Sequence, residues 1–424
     1  MRSALVPILL ADPLPWAQKA EYAWDFLRDR ARFGGGYRGL LANTPGWTFT
    51  RASTGYYTTT GGVLVPFASG SLRTGDRGAL IEGAGTNLCL QSQTFDNASW
   101  NNFHSVETAA ATASPTSAVD AFRLVDDSGT GTGTVSIFQN VTVPSATNMT
   151  FSVFCKADQL SWIALRTSNY DATGNGTSYF NIGSGVVGTK DANHSASGIQ
   201  ALSNGWYRVW IVFQTTTDVV GTINILIAEA DGDSVVSRNG TSSIYIWGAQ
   251  LEATAYATSY IPTTTASATR AADSLTVTGV TGLDYPLTLY AEFERASDRG
   301  ADSGVFEVNS GSSNDRALLN VSSSDLMQVY ARTSSVDQVN ATIAGALAIG
   351  TVYKTAARIS TNDSRHALGG TLGTQDTSCT NPATPSKIVF GNQNSETLPI
   401  YGYLRRAALF TRALTNAELQ AITA

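Results

Sequence analysis

Cysteine is nearly absent from this 424-residue chain, and the three copies present exclude two architectures. Cys89, Cys155 and Cys379 are far apart, odd in number and free of any CxxC spacing. Neither a disulfide framework nor a structural zinc site is expected. Histidine is equally rare: His104, His194 and His366 show no HxxxH spacing and no neighbouring cysteine, so imidazole-based metal catalysis lacks ligands. No cofactor is expected, although calcium held by carboxylates and carbonyls stays open, because such loops leave little trace in sequence. Charged residues are only 14% of the chain and the net charge is −6, without the basic patch that a nucleic-acid partner requires. No run approaches the ~20 apolar residues of a membrane helix, so no membrane insertion is expected.

What fills the chain instead is short apolar runs separated by Gly, Thr, Ser and Asn, the composition of many strands joined by tight turns. The stretch Ile244–Asp273 organises it. It opens as a strand, with Ile244, Ile246 and Ala249–Leu251 apolar around Tyr245, Trp247 and Gly248, and leaves through Tyr260-Ile261-Pro262 into a Thr/Ser/Ala run. Pro262 has no N–H for a ladder, so one β domain is expected to close there and a second to begin after a linker at 263–273.

Between residues 90 and 262, eight strand-like segments recur with turn residues between them, starting at FRLVDD (122–127) and ending at SIYIWGAQLE (243–252). Eight is the number for a double-sheet jelly roll. Phe151, Val153 and Cys155, like Tyr207, Val209, Ile211 and Phe213, alternate as one buried face. Residues 274–424 repeat the pattern in kind, from LTLYAEFER (287–295) to YGYLRRAALFTRAL (401–414). A short final helix follows, capped by Thr415 or Asn416 with Glu418 in its first turn. Near the start, MRSALVPILLADP has the outline of a weak signal peptide, but Pro7 and the lack of a small-x-small site argue for an ordered arm. Residues 13–33 are predicted as a helix from Pro15 and the spacing of Trp16, Ala20, Ala23 or Trp24, and Leu27, ended by Gly34-Gly35-Gly36. Trp16, Trp24 and Phe26 then form an apolar face that either packs on the chain's own first β domain or anchors it to copies or an assembly.

FTRASTGYY, a following GVL strand, ALIEGAGTNL, and then WGAQLE…TSYIPTTTASATRAAD resemble a recurrent module of phage virion proteins, particularly tail-fibre or spike-type proteins. The resemblance spans about 46–273. The close GYLRRAALFTRALTNAELQAI, after IVFGNQN, resembles a laminin-G-like or concanavalin-A-like lectin sandwich over 274–424. Together these imply an all-β chain: an N-terminal arm and helical anchor (1–45), a short β connector (46–89), a jelly-roll carbohydrate-binding-like domain (90–262), the linker, and a concanavalin-A-like sandwich. The resemblance implies a particle-surface fibre or spike, homotrimeric, held to other virion proteins by its N-terminal arm and contacting host-surface polysaccharide. The alternative is an architectural protein, a head decoration or tail scaffold without receptor binding.

Catalysis is not expected. There is no G-x-S-x-G elbow, and no solenoid repeat of the kind glycan-cleaving tailspikes carry. The densest acidic group, Glu229, Asp231 and Asp233, reads first as a turn around Asp231-Gly232. For sugar recognition, aromatic faces with amides and carboxylates are wanted. Trp162, Asn169, Tyr170, Asp171, Asn175 and Tyr179 supply them in one strand–loop–strand unit, unless Trp162 and Tyr179 are core or edge packing and the loop is merely solvated. Trp206 and Trp247 are read as core. Two polar loops of the last domain, Asn392-Gln393-Asn394 with Glu396, and Asn362-Asp363 with Arg365-His366, are further candidates, since such folds place ligands at rim loops.

Overall fold

The structure, a computed structural model, describes residues 20–34, 37–170, 175–217 and 219–424. It is almost entirely β, with one α-helix, Asn416–Thr423, among the described residues. The chain divides into two compact units. One takes residues up to Thr50, Ser71–Gly83 and Asp273–Ala424; the other takes Arg51–Gly70 and Ala84–Ala272. The segment 46–89, expected as a connector, is thus shared between both, and residues 274–424 are not self-contained.

The unit containing Ala84–Ala272 is a jelly roll, and its eight expected strands are all present. In order they are Val119–Asp126, Ser136–Thr142, Asn148–Ala157, Trp162–Ser168, Gly176–Asn181, Trp206–Gln214, Val220–Ala228 and Ser243–Glu252. Numbered by sequence, the first, eighth, third and sixth lie side by side in one sheet, and the second, seventh, fourth and fifth in the other. Each sheet is six strands wide. Phe151, Val153, Cys155, Val209, Ile211 and Phe213 face inward between them, as their alternation predicts.

Strand Ser243–Glu252 shows how one glycine sets a face. Ile244 and Ile246 enter the core, Trp247 points the other way, and Ala249 and Leu251 enter the core again. The parity changes at Gly248, whose φ is +61°, and pairing with Asn148–Ala157 shifts register there between Ser152 and Phe154. This is a β-bulge. The outward Trp247, with Trp206, Phe154 and Tyr260, is covered by Leu64 from the hairpin Gly55–Thr58/Leu64–Phe67. One outer face of the jelly roll is therefore closed by the FTRASTGYY…GVL segment.

The resembling motifs owe their residue types to a buried polar brace. Asn87, fully buried, donates through Nδ2 to the carbonyls of Ala249 (3.0 Å) and Ile261 (2.8 Å). Its Oδ1 accepts the N–H groups of Cys89 and Leu251, both at 3.0 Å. Gln250 Oε1 accepts the Ile261 N–H at 2.7 Å, and its Nε2 donates to Glu252 at 2.6 Å. These bonds tie the segment around Pro262 to the strand it leaves, where a proline-interrupted chain has no ladder of its own. All three cysteines are buried free thiols.

The other unit is a sandwich of a ten-stranded and a seven-stranded sheet, the concanavalin-A-like architecture expected for the C-terminal part. Here the N-terminal helix reading is corrected. Residues 20–33 form a hairpin, Tyr22–Asp25 paired with Arg30–Phe33, and Tyr22–Asp25 also pairs with Ala407–Leu409 and Arg406 of strand Gly402–Phe410. Tyr22 and Trp24, two apart, face the core, while Ala23 faces the opposite side. Period two overrode the looser helical match. Trp24 and Phe26 are buried among Phe306 and Phe390, with the Trp24 and Phe390 rings 4.9 Å apart, so neither is free to anchor the chain. Trp16 lies outside the described residues.

Gly78–Ile81 pairs with the first half of Gly402–Phe410 and Tyr22–Asp25 with its second half, so two N-terminal strands share one edge of a C-terminal strand. Arg73 is buried with Glu82 (2.7 Å) and Asp273, the residues beside which the chain leaves and re-enters this unit. Asp273 Oδ2 also accepts the Glu82 N–H at 2.9 Å, and the Asp273 N–H donates to the Glu82 carbonyl at 2.9 Å. The final helix is capped by Thr415, of the two candidates, which forms a capping box with Glu418, and it lays Leu419 on the outer face of the ten-stranded sheet, among Ala356, Ala367 and Phe410.

Candidate functional site

The outer face of the seven-stranded sheet is polar. Its strands Arg316–Val321, Met327–Thr333 and Val336–Ile343 run antiparallel as consecutive hairpins. Ala317, Leu319, Val321, Met327, Val329, Ala331 and Val339 point into the core. The alternate residues must point out: Arg316, Leu318 and Asn320, then Gln328 and Tyr330, then Asn340. Register sets Asn320 opposite Gln328, and Tyr330 opposite both Leu318 and Asn340.

A loop from a distant part of the chain completes the row. After Lys387–Phe390 the chain turns through Gly391 and lies against strand Ser303–Asn309, where Gly304 donates to the Leu398 carbonyl at 2.8 Å. A Cβ on Gly304 would sit 2.3 Å from the Asn392 backbone, so only glycine admits the loop. Asn392 is buried, its Oδ1 accepting the N–H groups of Gln393 (2.9 Å) and Leu398 (3.1 Å). Gln393 is thereby held over the sheet.

The result is a directional chain of side-chain hydrogen bonds across three strands. Arg316 Nη1 donates to Gln393 Oε1 (3.1 Å), and Gln393 Nε2 to Asn320 Oδ1 (3.0 Å). Asn320 Nδ2 donates to Gln328 Oε1 (2.8 Å), and Gln328 Nε2 to Asn340 Oδ1 (2.7 Å). A guanidinium heads the relay, and the exposed Asn340 amide nitrogen ends it. Each bond polarises the next, so that terminal N–H₂ is an enhanced donor. Glu307, buried beneath the loop, accepts from Asn309 Nδ2 (2.8 Å) and lies 3.6 Å from Arg316. Burial pushes its carboxyl above the usual range, against the opposing pull of Arg316.

The relay floors a cleft of about 190 Å³ lined also by Asp302 and Tyr330. Arg316 and Arg332 stack over the Tyr330 ring, at 5.1 and 5.5 Å. The Tyr330 hydroxyl donates to Asp337, which with Arg332 (2.8 Å) holds that carboxyl below its ordinary range. Every amide here retains an unused N–H or lone pair, the complement of vicinal hydroxyls, which both donate and accept.

Other candidates fall differently. Asn394 is half-buried, taken up by Lys387 (3.2 Å) and by its own N–H to Glu307 (3.3 Å), and Asn392 holds the loop rather than facing ligand. Gln393 between them is the one that reaches the cleft. Tyr170 is core: its hydroxyl donates to the Val141 carbonyl at 3.3 Å and its ring lies 5.2 Å from Phe213. Asn169 is an exposed turn residue with φ +64°, and Asp171 lies outside the described residues. Of that group's aromatics only Trp162 and Tyr179 meet, on the outer face of a jelly-roll sheet with Ala164, Leu226 and Ala228. Trp206 and Trp247 are buried, as read. Glu229–Asp233 is a turn closed by an Ala230–Asp233 bridge. Among the described residues no cluster of three or more His, Cys, Asp or Glu could hold a metal ion.

The Asn362–His366 loop is corrected: Arg365–Leu368 is a strand and His366 is buried. Burial lowers its pKa to about 4, and does the same to His194, whose ring is bonded to Thr167 (3.0 Å) and Ser178 (2.6 Å). Both rings are neutral in the fold and protonate near pH 6.5 when unfolded. The unfolded chain thus binds more protons between pH 6.5 and 4, and stability falls as pH drops through that window, by up to roughly 3 kcal/mol per ring. Urea unfolding at pH 7 and 4.5 measures it, and a His366→Leu variant is expected to show a shallower fall.

No protein-family model and no curated protein matches the chain. Among solved structures it is similar to the CBM40 of Ruminococcus gnavus IT-sialidase bound to α2,3-sialyllactose, at 13% identity and TM-score 0.28, covering 32% of this chain and 82% of that one. It is similar also to domains LG4-5 of the mouse laminin α1 chain (13%, TM-score 0.25, covering 83% and 96%). A third is Trypanosoma rangeli sialidase (10%, TM-score 0.27, covering 71% and 67%). Likenesses this slight transfer nothing; the fold rests on the strand orders above.

Proposed function

We propose that this chain is a glycan-binding structural protein, a fibre or spike on a phage particle that holds neutral sugars of the host surface in the amide cleft. The observation that carries the binding reading is the Arg316–Gln393–Asn320–Gln328–Asn340 relay: an oriented row of amides with spare donors and acceptors on an open sheet face. The particle assignment is supported by the resemblance of the 46–273 motifs. Several copies, as in a trimer, would raise avidity without new contacts, which suits a shallow cleft. The test is binding of the full chain to host cells and to their extracted surface polysaccharide. Gln328→Ala and Asn340→Ala are each expected to weaken binding about five- to tenfold, the loss of one or two net hydrogen bonds. Undiminished binding by both variants would remove the cleft from the reading.

A further inference from the structure

In the jelly roll the hairpin at 55–67 closes one outer sheet face, and the other bears a depression. It has a volume of about 370 Å³ and is lined by Phe103, Phe138, Thr134, Ser136, Arg166 and Asn224. Phe103 is 49% exposed. The Trp162–Tyr179 patch adjoins on the same face, because Trp162, Ala164 and Arg166 alternate outward and Tyr179 lies opposite Ala164.

Arg166 distinguishes this depression. Its Nε donates to Thr177 Oγ1 at 3.0 Å, which fixes the guanidinium on the sheet. Its cross-strand partners Thr177 and Asn224 are neutral, as is every other lining residue. Asn224 Nδ2 is engaged by the Arg166 carbonyl (3.3 Å) and the Thr222 hydroxyl (3.1 Å). Elsewhere in this unit Arg123 is paired with Asp158 and Arg238 with Asp127, whereas Arg166 has no carboxylate among the described residues. A half-buried cation without a counter-ion among the described residues, walled by aromatic rings, favours an anion that also carries an apolar face.

We infer that this depression binds a carboxylate-bearing sugar, its carboxylate on the Arg166 fork and its ring face against Phe103 and Phe138. A planar carboxylate matches the guanidinium through two parallel hydrogen bonds, and the apolar face of a pyranose suits an aromatic wall. The site is separate from the amide cleft, and the inference does not rest on it. The test is calorimetric titration of the full chain with trigalacturonic acid and with its fully methyl-esterified form, which keeps the rings and removes the charge. The acid is expected to bind at least tenfold more tightly than the ester. Arg166→Met should erase that preference, and Phe103→Ala, at an exposed position that leaves the fold intact, should weaken both ligands. Gln328→Ala should leave the preference for acid over ester unchanged, which separates this site from the cleft. Equal affinity for acid and ester, acid binding untouched by Arg166→Met, or no binding of the acid at millimolar concentration would each overturn the inference.

Discussion

Asp273→Ala is expected to destabilise its unit by about 3–5 kcal/mol, the usual cost of removing one partner from a buried ion cluster. The carboxylate is buried and accepts from Arg73 and from the Glu82 N–H, so its deletion strips the buried guanidinium of one partner and leaves that N–H without its acceptor. Glu82 alone, at 2.7 Å, balances one charge while the Arg73 guanidinium has lost its second carboxylate contact. Calorimetric melting of the full chain should show one transition shifted sharply and the other in place. Combining Asp273→Leu with Arg73→Met and Glu82→Leu should recover part of the loss, because an apolar set carries no unpaired charge. A single variant as stable as the parent would mean that water reaches this site.

The second large effect is expected at Asn87. One side chain there satisfies four buried backbone groups: the carbonyls of Ala249 and Ile261 and the N–H groups of Cys89 and Leu251. Each buried group left unpaired costs about 1–3 kcal/mol, so Asn87→Ala should lose about 4 kcal/mol or more and collapse the yield of folded protein. Asn87→Asp retains the acceptor but not the donors, and should fall between. Denaturant midpoints of the three proteins in the order Asn, Asp, Ala would establish the hub; indistinguishable midpoints would dismiss it.

Much of this fold could be read from the chain, because its strands alternate cleanly. Phe151, Val153 and Cys155 face the core that their spacing predicts, and Thr415 with Glu418 caps the only α-helix among the described residues. Residues 20–33 were misread because Ala20, Trp24 and Leu27 fit a helical period, while Tyr22 and Trp24 fit a strand equally well. The deciding factor was the waiting edge of Gly402–Phe410, which no local pattern contains. The cleft was hidden for the same reason. Asn320 meets Gln328 by hairpin register, but its bond to Gln393 spans 73 residues and depends on Gly304 admitting a loop. Polar phases such as Gln328 and Tyr330 were visible; their convergence was not.

The shared edge of Gly402–Phe410 has a consequence for synthesis. Asp25 reaches Arg406 across 381 residues, which at ribosomal speeds of about 5–20 residues per second is a wait of roughly 20–80 s. Through that interval Tyr22, Trp24 and Phe26 have emerged without the strand that will shelter them. The jelly roll has all its strands by Ala272 and can close first, so the nascent chain carries a finished module and an open, sticky N-terminal hairpin at once. Shelter for that hairpin must wait for the synthesis of Gly402–Phe410.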